Sequence, residues 1–273
     1  MLDIGAQRGG GGAAAELHPR EESGGVDDAP GVAPWSGHVR ILGRDAAGRA
    51  DLSRFFKPPP PRARSVLGMN GMKDTNGMNG VNGLPISALL AAAGEAALPV
   101  LRGVGEDQLG RPTPCAEYDV RALLNHLFQV VVTFQALAAK EDVEFGSPPD
   151  RLGEYGARWP DRFADETARL VEAWAAPGAE DGSTGAMNLP ARTVGAMALL
   201  DLTVHAWDLA RATGQPYAPP AGGVAELRIL VDRMGPTART MNVFAAPLPT
   251  PPGAGDLEVL LAETGRDPLW TAG

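Results

Sequence analysis

The stretch Thr193–Thr213 (TVGAMALLDLTVHAWDLARAT) is apolar on nearly every side, yet it carries Asp201, His205 and Asp208 in one stripe with Val194, Met197, Val204 and Ala212. Its spacing predicts a helix, and a helix apolar all round must be covered on most of its faces by other elements. The opposite side (Leu199, Thr203, Ala206, Ala210) has no charge at all. It therefore calls for cover, either from a later helix or from a second copy of the chain in a homodimer. A second run, Val120–Lys140 (VRALLNHLFQVVVTFQALAAK), has the same character and holds His126. Strand-like alternation is scarce, with one weak candidate at AMNLPA (186–191). These patterns predict an all-α protein, a helical bundle.

Three further helices complete the reading. Ile86–Leu101 carries an apolar stripe and is expected to bend or end near Pro99. A proline-bracketed turn, RPTPCAEYD (111–119), leads into the His126 helix with Asp119 as its N-cap. A helix over about 160–176 places Phe163, Leu170 and Trp174, with Trp159 just ahead, on one face and stops at Pro177–Gly178. The Asp201 helix ends at Gly214, and a last helix over about 222–241 turns Val224, Leu227, Leu230, Val231 and Met234 inward. The helical domain spans 85–273. Residues 1–84 are rich in Gly, Pro, Ala and charge and include MNGMKDTNGMNGVNG (69–83), a composition expected to be disordered. Met69, Met72 and Met78 are candidate starts within it, and FFKPPPPRARS (55–65) reads as a solvated linker or docking peptide.

Net charge is −9, which speaks against a nucleic-acid partner, and none is expected. One cysteine, Cys115, excludes an internal disulfide and a cysteine-based zinc site. No apolar run reads as a membrane span of about 20 residues, and no secretory signal opens the chain, so a cytoplasmic location without a membrane partner is expected. The Gly run at 9–12 has no following strand or helix and is not a phosphate loop.

Two of the four histidines, His18 and His38, fall in the low-complexity segment, so both histidines of the folded part sit on core-forming helices. Asp201 and His205 are one helical turn apart on one face. A buried carboxylate without a partner costs several kcal/mol, comparable to a domain's stability margin. His126, Asp201 and His205 together make the protein ligands of a divalent metal with an open position. The alternative is a polar core network, in which Asp201 accepts from His205 and His126 donates to a backbone carbonyl. Gln129 and Thr133 share the face of His126 and are candidates to hold a cofactor or substrate, or merely to line a cavity. Asp208 is a candidate to orient His205 or to pair with Arg211 or Arg192. Cys115 stands near a helix start but reads as an inert thiol, and Trp207 and Tyr118 read as packing anchors.

TPCAEYDVRALLNHL (113–127), the Trp174 helix, DLTVHAWDLARATGQP (201–216) and LLAETGRDPLW (260–270) together resemble the DinB/YfiT-like proteins related to mycothiol-dependent maleylpyruvate isomerase. The resemblance spans about 85–270. It implies a DinB-like four-helix bundle of up-down-down-up topology plus a C-terminal helix, with a divalent metal on His126, Asp201 and His205. Zinc is the expected ion, with nickel, manganese and iron as alternatives. In the isomerase the carboxylate ligand is a Glu where this chain has Asp201, and the isomerase's added C-terminal domain has no counterpart after the last helix. The implied activity uses a metal-held thiol, mycothiol or another small one, for isomerisation or S-transfer on a small electrophilic substrate. Arg192 or Arg211 is the expected holder of a substrate carboxylate. The same ligands also suit a metal-dependent hydrolase, an iron oxygenase, or a non-catalytic metal-containing binding or stress protein.

Overall fold

A computed structural model describes residues 83–143, 146–184 and 188–272. The low-complexity segment expected over 1–84, with its candidate starts, its proline-rich peptide, His18 and His38, lies outside the described residues apart from Gly83 and Leu84. Among the described residues there are five long helices and two short ones. They are α1 (Ile86–Arg102), α2 (Val120–Ala138), α3 (Arg151–Tyr155), α4 (Trp159–Ala175), α5 (Ala191–Thr213), α6 (Ala221–Thr240) and α7 (Asp256–Glu263). The all-α expectation holds, and no strand forms among the described residues. Among the described residues of the weak strand candidate, only Pro190 joins an isolated bridge, to Ser183.

The helix ends follow local chemistry. Asp119 caps α2 by accepting from the Ala122 N–H at 2.8 Å. Gly214 closes α5 with φ of 74°, a conformation that an L side chain resists. α1 does not stop at Pro99 but runs on to Arg102. α3 and α7 were not expected from periodicity, being too short to show one.

α1 and α2 each pack against both α4 and α5, which places α1 opposite α2 in a four-helix bundle. Ile86 at the start of α1 lies beside Gly195 near the start of α5, and Gln215 just past α5 donates to Val100 O near the end of α1, so these two run parallel. Arg102 at the end of α1 meets Asp161 at the start of α4, so that pair is antiparallel. Phe128 midway along α2 packs edge-on against Phe163 in the first half of α4, and Lys140 past α2 donates to Ala179 O past α4. α2 and α4 therefore run together, and the bundle is up-down-down-up. A parallel pair in sequence needs a long connection, and α3 lies in it. Asn125 Oδ1 accepts from the Leu152 N–H, and Arg121 pairs with Asp150, pinning that connection to the start of α2.

α6 packs on α5 and α1, and α7 packs on α6. The uncharged outer face of α5 is thereby covered within one chain: Leu199, Thr203, Ala206 and Ala210 are all buried. Phe128, Phe163, Leu170 and Trp174 fill the centre, each contributing roughly 1.5–3 kcal/mol on burial. By length and composition α2 could cross a membrane, which the sequence reading did not allow, but it is a core helix with 61% of its apolar window buried.

Candidate metal centre

The antiparallel α2 and α5 bring His126 level with Asp201 and His205. His126 Nε2 stands 3.9 Å from Asp201 Oδ1, and His205 Nε2 stands 3.6 Å from the same oxygen. One ligand atom from each of the three lies within 4.8 Å of the others. The imidazole rings meet edge to face with centroids 5.0 Å apart. Asp201 has the least covered side chain of the three, at 13% exposure against 1% for His205.

The other nitrogen of His205 faces away. Nδ1 lies 2.8 Å from Asp208 Oδ2, and Asp208 is wholly buried. A carboxylate accepts only, so Nδ1 carries the proton and Nε2 presents its lone pair toward Asp201. Burial holds the His205 imidazole below the ordinary histidine value, against the pull of Asp208, which keeps it a neutral donor. Tyr118, expected as a packing anchor, is buried in the core and stacks on His126 with centroids 5.2 Å apart, and burial pushes its phenol up.

The residue missing from the sequence reading is Arg266. Its Nε donates to both oxygens of Asp208, at 3.0 and 3.1 Å. Burial opposes both charges, but their pairing outweighs it. Asp208 is held below the usual carboxylate range and Arg266 stays firmly protonated. Arg266 lies in the LLAETGRDPLW stretch that carried the resemblance, but nothing in its spacing tied it to Asp208. The arginines expected there are engaged elsewhere. Arg192 pairs with Glu180 and Glu226 at the start of α5, and Arg211 donates to Trp270 O at 2.9 and 2.6 Å.

Cys115, His205 and Asp208 form a second cluster with metal-ligand spacing. The Arg266 guanidinium already lies against its carboxylate, which leaves a cation no room there. The Cys115 thiol is buried and pushed up to about 12, so it is no nucleophile at neutral pH. Gln129 turns its amide to Gly146 O at 2.8 Å, and Thr133 is half-buried on the same helix. A cleft of about 590 Å³ opens between Gly110–Asp119 and Trp270–Thr271, with Glu117 and Tyr118 in its wall.

The chain matches the family described as the mycothiol maleylpyruvate isomerase N-terminal domain over residues 90–210. Two relatives from different strains of Mycobacterium tuberculosis, both described as uncharacterized proteins, are 32% identical over 186 residues, covering 64% of this chain and 95% of theirs. This chain belongs to that family. No solved structure matches it significantly. The family match takes in α1 from Leu90 through α5 to Ala210, so His126, Asp201, His205 and Asp208 fall inside it and Arg266 falls outside.

Proposed function

We propose that this chain holds a divalent ion, zinc before nickel, manganese or iron, on His126, Asp201 and His205. We infer that it uses a low-molecular-weight thiol, mycothiol or a relative, for isomerisation or S-transfer on a small electrophilic substrate. The observation that carries the reading is the orientation of His205, with Nδ1 committed to Asp208 and Nε2 facing Asp201 beside a second imidazole. A histidine that ligates a metal characteristically gives its other nitrogen to a carboxylate. Ligands about 2.0–2.1 Å from a tetrahedral ion stand roughly 3.4 Å apart. The observed 3.6 and 3.9 Å are slightly wider and close by a small side-chain adjustment. Such an ion supplies Lewis-acid chemistry, lowering the pKa of a thiol that joins it.

The chain's own residues do the rest. Tyr118 covers one face of His126 and also walls the cleft, which has a volume suited to a small ligand. Cys115 offers no thiolate, which supports an external thiol, as does the family description. A binding role without catalysis is the second reading, favoured by one observation. Asp208 and Arg266, the charged pair beside His205, are committed to each other rather than to acid–base work.

Metal analysis on tag-free protein is expected to find stoichiometric divalent ion, lost in His126→Ala and His205→Ala. Protein that carries none, with both variants as stable as the wild type, overturns the site. Melting with mycothiol, glutathione and no thiol then separates the two roles. A rise with thiol that disappears in Asp201→Ala supports thiol chemistry, and ion without any thiol response supports the second reading.

A further inference from the structure

α7 ends in a turn of a defined kind. The Arg266 N–H bonds to Leu261 O and the Gly265 N–H to Ala262 O, the paired bonds of a Schellman motif. Gly265 takes φ of 84°, and a Cβ there would lie 2.6 Å from Ala245 Cβ, so glycine is required on both counts. The turn delivers Arg266 into the bundle, where it is 7% exposed and meets a fully buried carboxylate. Its Nη2 also comes within 3.5 Å of His205 Nδ1. A few residues on, Trp270 O takes both hydrogen bonds from Arg211 of α5, so the segment is fastened to that helix at two points.

We propose that Arg266 is a positioning residue for the metal centre: it holds the Asp208 carboxylate against His205 Nδ1, and through it fixes the imidazole with Nε2 turned toward Asp201 and His126. The C-terminal turn is thus part of a site whose ligands all lie on α2 and α5. The two oxygens of Asp208 share the Arg266 Nε–H while Oδ2 faces His205 Nδ1, so the carboxylate is held against the ring as an acceptor, and an acceptor there selects the Nδ1–H tautomer. The consequence for metal affinity rests on the reading above, whereas the effect on the imidazole does not.

The test therefore has two arms. In the first, nitrogen-15 NMR of the metal-free full chain reads the tautomer of His205 at one neutral pH. The wild type is expected to show a single Nδ1–H form, Arg266→Gln a mixture, and Arg266→Lys a return toward the wild type. In the second, cobalt(II) is titrated with its visible spectrum as readout. Arg266→Gln is expected to weaken binding about 10–100-fold, the usual effect of losing a partner that orients a ligand. In an Asp208→Asn background the same change is expected to add little. Asp208→Asn/Arg266→Gln, which removes both buried charges, serves if Arg266→Gln does not fold, and a wild-type tautomer in it overturns the proposal. So does a single Nδ1–H form persisting in Arg266→Gln. A wild type that binds no cobalt but loses its tautomer in Arg266→Gln supports the proposal and sinks the metal reading alone.

Discussion

At the scale of single residues, the candidate site depends on His205 staying neutral. Burial holds its imidazole below the usual 6.5, so the unfolded chain binds a proton that the folded chain refuses as pH falls through that value. The metal-free protein is therefore expected to lose stability from about pH 6.5 downward, with more protons on the unfolded state. Melting temperature followed between about pH 7.5 and 5.5 checks this, and a His205→Gln variant should show a flatter profile. A wild-type profile as flat as the variant's would sink the claim. His126, Asp201 and His205 were legible as candidates because ionisable groups on apolar helices are costly; Asp201 and His205 are one turn apart, and His126 was added as the other histidine on a core-forming helix. Arg266 was not legible. It meets Asp208 across 58 residues, and no periodicity reports a contact made through an irregular turn. Arg192 and Arg211 were nearer in sequence, which made them the natural candidates, but Arg192 stands at the far end of α5 from Asp208, and Arg211, although one turn from it, gives its guanidinium to Trp270 O.

At the scale of elements, α1 approaches α4 and α5 closely because glycines stand at the contacts. A Cβ on Gly195 would lie 2.7 Å from Ile86 Cγ2 and 3.0 Å from the Trp174 ring, and one on Gly94 would lie 2.7 Å from Thr167 Cγ2. Ile86 and Trp174 are walled in and have no space to yield. Gly195→Ala is therefore expected to lower stability by about 1–3 kcal/mol through overpacking, despite the roughly 1 kcal/mol that alanine gains in helix propensity. Urea unfolding measures it, and a stabilised variant would show that the α1–α5 contact is looser than described. The long helices were readable because their stripes run over several turns and their ends carry Asp119 and Gly214. α3 and α7 escaped notice for the converse reason. Each is short, and α7 takes its place from packing on α6 rather than from a pattern of its own.

At the scale of the molecule, the turn after α7 is joined to the bundle by a buried charge pair, Asp208 with Arg266. A chain ended after Thr240 keeps the three candidate ligands but leaves Asp208 buried without its cation, a loss of about 3–5 kcal/mol. Such a truncation is expected to unfold at lower urea than the full chain, with part of the loss recovered by Asp208→Asn. No recovery would mean that α7 stabilises only through its apolar contacts. The same linkage sets an order in time. Arg266 follows His205 by 61 residues, so at about 5–20 residues per second the ribosome makes the three candidate ligands roughly 3–12 seconds before Arg266. During that interval Asp208 is without its guanidinium partner, and the candidate site is completed only as the turn after α7 closes.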